Sequence, residues 1–166
     1  MAKPSMSQYQ NLRGMAAAIV IVIVIFAALI YYSEQSYGPK SGYFVFNGTR
    51  YNFTQIDVTP QQLRQGLMND TNITDSTFAL LIFPSSGYWD EWMKNTYSPT
   101  DVMWVRNSTV VYMITTATCV SYDPDQTSCV VYAPNSTANY MIETKAGFFN
   151  RTGVRVGDTI KIYLNK

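Results

Sequence analysis

An unbroken apolar run, Met15 to Tyr32 (MAAAIVIVIVIFAALIYY), constrains this chain more than any other feature. Eighteen residues with no charge or amide, and no hydroxyl before the closing tyrosines, span about 27 Å as a helix, close to the hydrocarbon thickness of a bilayer. Ten of them are Ile, Val, Leu or Phe. At roughly −0.3 to −0.6 kcal/mol each, these favour insertion by about 3–6 kcal/mol. Lys3 and Arg13 precede the run and no acidic residue does, so the positive-inside rule expects a cytoplasmic tail and an external C-terminal part. Tyr31 and Tyr32 suit an interface, where a ring sits in lipid with its hydroxyl wet.

The expected organisation is a cytoplasmic tail at 1–14, a transmembrane helix at 15–32, a linker at 33–41 and an extracellular β domain at 42–166. Two other readings of the run are a cleaved signal peptide and a buried strand of β-branched residues. A signal peptide has a shorter apolar region and a small-x-small site, for which Ala27-Ala28 is a poor match. A strand of this length without a turn residue is uncommon. Arg13-Gly14 ahead of an apolar helix also resembles the processing site of archaeal type IV pilins. That reading makes the mature chain begin at Met15 and pack in a filament core.

From Ser33 onward there are ten Lys or Arg and eleven Asp or Glu. With charge so balanced, nucleic acid is not an expected partner. The sequence holds no histidine, which removes the commonest metal ligand and the commonest base at neutral pH. Imidazole-ligated copper or zinc sites and Ser-His-Asp triads are excluded. No cofactor and no metal are expected.

Seven N-x-Thr sequons follow the apolar run, at Asn47, Asn52, Asn69, Asn72, Asn107, Asn135 and Asn150. None carries proline in the middle position. They are read as N-glycosylation sites, which require an extracytoplasmic surface. N-linked glycans would solvate a surface poor in charge, a pattern that suits a thermoacidophilic archaeon. Cys119 and Cys129 are the only cysteines; outside the cell they are expected to form a disulfide. Asp123-Pro124-Asp125 between them reads as a turn.

Along the chain, Gly42–Asn47 and Tyr51–Asp57 read as strands around the hairpin dipeptide Asn47-Gly48. Thr59-Pro60-Gln61-Gln62 reads as a helix start, with Thr59 as cap, Pro60 at the first helical position and Gln62 completing a capping box. This helix is expected to end near Met68. Phe78–Phe83 (FALLIF) reads as a central strand stopped by Pro84-Ser85-Ser86-Gly87. Asp101–Arg106 and Thr109–Thr115 form a second expected hairpin about Asn107-Ser108. Cys129–Ala133, Tyr140–Thr144 and Thr159–Leu164 complete the strands, and Ala146–Thr152 reads as a helical turn. About nine short strands and one or two short helices predict an all-β domain, a sandwich or jelly roll.

Several strings occur in a telling order: Gly66-Leu67-Met68, Phe83, Trp92-Met93-Lys94-Asn95-Thr96, Asp101-Val102-Met103-Trp104-Val105, Tyr132, Tyr140-Met141-Ile142-Glu143, Ala146-Gly147 and Val156-Gly157-Asp158. In this order and spacing the chain resembles the uncharacterised domain family DUF192 from about Tyr51 to Leu164. It departs from the family pattern at Glu91, Thr100 and Thr118. The resemblance implies a compact, mostly β, often exported domain, and no activity.

Trp92, Lys94, Asn95 and Asp101 are the candidate binding residues. A ligand site would use Trp92 as a stacking platform beside a Lys94–Asp101 ion pair. The plainer reading is a loop pinned by that pair and by the Asn95 amide. Glu143, in an apolar strand, is expected to face a buried lysine or arginine. Tyr88, Trp89 and Trp92 are read as an exposed aromatic patch. Functionally, the sequence suggests a non-enzymatic accessory or interaction subunit of a membrane-bound assembly, with the lipid bilayer and other proteins as partners. The alternatives are a carbohydrate- or polymer-binding module and a pilin-like filament subunit.

Overall fold

The computed structural model describes residues 6–36, 38–120 and 129–165. The expected turn at Asp123-Pro124-Asp125 lies outside them. The chain divides into two units, Met1–Gly38 and Pro39–Lys166. The first holds helix α1 (Met6–Ser36). Its window Met15–Tyr32 has mean hydropathy 2.8, and none of it is buried. Every large apolar side chain in this window is exposed. The β-branched run is therefore helical, and a helix apolar all round calls for a non-aqueous surrounding. It is compatible with a single-pass anchor and with a signal sequence. The helix also extends beyond the apolar run at both ends, into segments read as tail and linker.

The second unit is mostly β. Strand β1 (Ser41–Phe46) pairs antiparallel with β2 (Thr49–Asn52). The turn residues Asn47 and Gly48 sit at φ +48° and +77°, the left-handed pair that a tight hairpin requires and that Asn-Gly adopts at least cost. β1 also pairs with the last strand, β10 (Lys161–Asn165), giving a sheet of order β10-β1-β2. The expected single strand Tyr51–Asp57 divides instead. The Phe53 amide donates to Gly42 in this sheet, whereas the Thr54 amide donates to Phe78 in the next. The chain thus changes sheets at one peptide, and β3 (Gln55–Asp57) belongs to the larger sheet.

That sheet has the order β3-β4-β9-β6-β7, built also from β4 (Phe78–Gly87), β6 (Thr100–Arg106), β7 (Thr109–Thr115) and β9 (Ala138–Lys145). β3 runs parallel to β4, and helix α2 (Pro60–Gln65) lies on the connection between them. The capping box is as expected: Thr59 Oγ1 accepts from the Gln62 amide, and Gln62 Oε1 accepts from the Thr59 amide. The helix ends earlier than Met68, at Gly66. β4 continues through Pro84 to Gly87, past its expected end. Its register with β9 shifts between Ile82 and Gly87, so Pro84 lies where no ladder bond is asked of it. β6 and β7 form the second hairpin, with Asn107 and Ser108 at φ +48° and +72°. A small pair, β5 (Glu91–Trp92) with β8 (Val131–Tyr132), completes the strands. Helix α3 (Phe148–Thr152) forms at the expected helical turn.

Both faces of the five-stranded sheet are buried. On one face Phe78, Leu80, Met103, Val105 and Ile142 share a core with Phe44 and Phe46 of β1 and with Phe148, Val154 and Ile160. On the other, Ala79, Leu81, Val102, Trp104 and Met141 pack with Leu67, Ile73 and Ala138, flanked by Leu63 of α2. Two-sided burial explains why FALLIF is continuous where a half-buried strand would alternate. Cys119 and Cys129 form a disulfide, Cα–Cα 5.7 Å. Cys119 also exchanges backbone hydrogen bonds with Thr96 (3.1 and 3.0 Å). The Met93 amide donates to Val130 (3.2 Å). The bridge thus fastens the segment Trp92–Thr96 to the β8 side.

Candidate functional site

The four candidate binding residues do not form one cluster. Asp101 is buried and fully engaged. Its Oδ1 accepts from Thr115 Oγ1 (2.6 Å), and its Oδ2 accepts from the Gly147 and Phe149 amides (3.0 and 2.9 Å). It therefore fixes the entry to α3, where amide donors lack helical partners, and makes no ion pair with Lys94. The expected pair is replaced by a cation over a ring: Lys94 Nζ lies 5.3 Å from the Trp92 ring centroid. Asn95 stands at φ +50° in the turn after Lys94, and its carbonyl accepts from the Asn69 amide (3.0 Å). It acts through its backbone.

Trp92 and Lys94 line a cleft of about 480 Å³. One wall is α2 and its exit, with Leu63, Arg64, Gln65, Gly66 and Met68; the other is Asp90, Glu91, Trp92 and Lys94. Glu143 of β9 completes the lining. Its side chain is 3% exposed. Oε2 accepts from the Leu67 amide (3.0 Å), and Oε1, itself enclosed, has no hydrogen-bond partner among the described residues. Among the described residues no ion pair joins Glu143 or Glu91 to Arg64 or Lys94.

Gly66 explains how the carboxyl fits. A Cβ at this position would lie 2.5 Å from Glu143 Oε1, and the residue sits at φ +45°. Glycine is thus required twice, for backbone angle and for space. Gln55 ties the floor together: its Nε2 donates to Asp57 Oδ2 (2.7 Å) and to the Gly66 carbonyl (2.9 Å).

Three carboxyls are displaced upward from their ordinary range. Burial pushes Glu143 to about 7; the Leu67 amide pulls the other way and Asp57 adds to the rise. Burial raises Asp57 to about 6 against the Gln55 hydrogen bond. Glu91 is raised by burial and then by Glu143. Burial disfavours a charged carboxylate and neighbouring carboxylates resist joint ionisation, so the group retains protons near neutrality. Among the described residues no set of His, Cys, Asp and Glu side chains is arranged to hold a metal ion.

The aromatic patch survives in part. Tyr88, Trp92 and Tyr97 are exposed. Trp89 instead stacks on Phe83 (centroids 4.5 Å apart), and its carbonyl accepts from Trp104 Nε1 (2.7 Å). All seven sequon asparagines are exposed, while Asn95 and Asn139, which lie outside sequons, are half-buried. Glu91 was singled out in the sequence only as a departure from a pattern, and Asp57 not at all. The available signal, an acidic residue inside an apolar strand, is present at Glu143 alone; Asp57 ends the short polar strand Gln55–Asp57.

A family model described as "Uncharacterized ACR" and known as DUF192 matches residues 47–162. The chain belongs to the DUF192 family. The match covers both walls of the cleft and all three raised carboxyls. No curated protein matches the chain. Two crystal structures resemble this DUF192 domain. One, a protein of unknown function from Novosphingobium aromaticivorans, is 21% identical, with TM-score 0.58, over 73% of this chain and 83% of that one. The other, a proposed transcription regulator from Sinorhizobium meliloti, is 23% identical, with TM-score 0.59, over 75% and 95%. These likenesses extend to the fold alone.

Proposed function

We propose that this DUF192 protein is a single-pass, membrane-anchored extracytoplasmic glycoprotein whose β domain, read as a sandwich, is a non-catalytic module for saccharides or a hydroxyl-rich polymer. It would serve as the accessory or interaction subunit of a membrane-bound assembly. The observation that carries this reading is the cleft itself: an exposed indole, Trp92, stands in a cavity of about 480 Å³ lined largely by polar side chains. A sugar ring presents an apolar face to the indole and hydroxyl groups to the polar side chains of the lining, Arg64, Gln65, Asp90 and Lys94. The apolar helix and the seven exposed sequons support the extracytoplasmic setting.

The test is calorimetric titration of the full chain in mild detergent with neutral mono- and oligosaccharides. Saturable binding is expected, weakened about ten-fold or more by Trp92→Ala. Binding unchanged by that substitution removes the proposed site. Separately, externally added protease should cleave the β domain on intact cells, and mass spectrometry should find glycans on several of the seven asparagines; protection and bare asparagines would refute the orientation.

A further inference from the structure

One of the seven sequons adjoins the cleft. Asn69 follows Met68, which lines the α2 wall, and its amide donates to the carbonyl of Asn95 (3.0 Å), the residue after Lys94 on the opposite wall. The turn that carries Asn69 is held on both sides: the Met68 amide donates to Gln65 (2.7 Å) and the Asp70 amide to Leu67 (3.1 Å). Asn69 itself sits at φ +66°, a left-handed angle that asparagine tolerates better than most residues. It is exposed between half-buried neighbours. The other sequons lie elsewhere. Asn47 and Asn107 stand in the two hairpin turns, Asn52 ends β2, Asn135 lies between β8 and β9, and Asn150 is on α3. Asn72 is three residues further along the loop. None of these six is next in sequence to a residue of the cleft lining.

We propose that Asn69 carries a glycan that folds back into the cleft, so that the resident ligand of the Trp92 wall is a saccharide of this chain itself. The proposal rests on the reading above, that the cleft takes saccharides and that sequons are glycosylated. A glycan on Asn69 begins where the two walls are tied together. Its first sugars then meet an exposed indole for their apolar faces, and Arg64, Gln65, Asp90 and Lys94 for their hydroxyls. The cleft, about 480 Å³, falls within the roughly 300–1,000 Å³ of small-ligand sites, which is room for a short stretch of sugars. A ligand on a short flexible link is presented at an effective concentration on the order of millimolar. A site of modest affinity is filled at that concentration, and a free saccharide has to displace the tethered one. The Asn69 glycan is therefore a built-in competitor: it admits only free ligands that bind better than it does.

The experiment uses the full chain purified in mild detergent from the membranes of its own cells, with Thr71→Ala and Asn72→Gln made in the same cells. Thr71→Ala abolishes the Asn69 sequon while leaving Asn69 and its backbone angle in place. Mass spectrometry should find a glycan on Asn69. The probe for titration is the glycan released chemically from the protein. It is expected to bind Thr71→Ala at least about three-fold more tightly than the wild-type chain, because the tethered competitor is gone. Asn72→Gln should bind like the wild type, and adding Trp92→Ala to Thr71→Ala should remove the gain. A bare Asn69, or equal affinity of the wild type and Thr71→Ala, would overturn the proposal while leaving the saccharide site intact. A gain that survives Trp92→Ala would also overturn it, because the glycan would then cover another surface. If Thr71→Ala binds neutral oligosaccharides but not the released glycan, the cleft rejects its own sugar and the proposal alone falls. If it binds neither, the saccharide site falls with it.

Discussion

Gly66 and Glu143 are a contact pair that neither residue's neighbours in sequence announce. A glycine after a short helix reads as an ordinary terminator. Here it is also the wall against which a buried carboxyl rests, with no room for a Cβ. Gly66→Ala is expected to cost about 2–4 kcal/mol, combining strain at positive φ with displacement of the carboxyl. Urea unfolding measures it. In a Glu143→Ala background the same change should cost only about 1–2 kcal/mol, because the space is free. Equal costs in both backgrounds would show that the close approach is unimportant. Asp101 makes the complementary point. From the sequence it is read as the partner of Lys94, but three hydrogen bonds from Thr115, Gly147 and Phe149 engage it. A carboxylate can be satisfied by donors of either kind, and spacing along a chain does not say which.

At the scale of elements, the cleft is made by two short segments on separate supports. One is α2, which is six residues long, too short to be stable alone, and is held by its capping box and by Leu63 packed on the sheet. The other is the β5 strand with the turn to Thr96, tied through Cys119 to the disulfide. The cysteines are ten residues apart, and closing a loop of that size in the unfolded chain contributes about 3 kcal/mol. Cys129→Ser is therefore expected to lower stability by about 2–3 kcal/mol and to increase hydrogen exchange at Met93 and Thr96, whose amides donate to Val130 and Cys119. Exchange that increases evenly over the five-stranded sheet would argue against a local clamp.

For the whole molecule, the raised carboxyls fix the sign of the pH dependence. Asp57 rises from 3.8 to about 6 and Glu143 from 4.5 to about 7 on folding. Between those limits the native state binds more protons than the unfolded chain, so stability falls as pH rises. Their contribution is fully present below about pH 4 and is lost through pH 6–7. For Glu143 alone the change is on the order of 3 kcal/mol. Thermal melting of the full chain should show a Tm that declines from pH 4 to pH 7.5, with the slope reduced in Glu143→Gln. A Tm that climbs over that interval would mean that these groups ionise freely in the fold.

The sequence by itself determined the pieces with local causes. Eighteen apolar residues make a helix long and apolar enough to cross a membrane. Asn47-Gly48 and Asn107-Ser108 make tight turns because left-handed φ angles suit them. Thr59, Pro60 and Gln62 start α2, and the ordered strings of a DUF192 domain named the family. Tertiary structure alone decided what depends on distant partners. Thr54 leaves one sheet for another because Phe78 waits to pair with it. Lys94 turns to Trp92 while Asp101 turns to Gly147, since each satisfies its charge with what packing brings near. Asp57, Glu91 and Glu143 meet from three strands far apart in the chain. Burial raises all three, and the charge of a neighbouring carboxylate adds to the rise at Glu91 and Glu143.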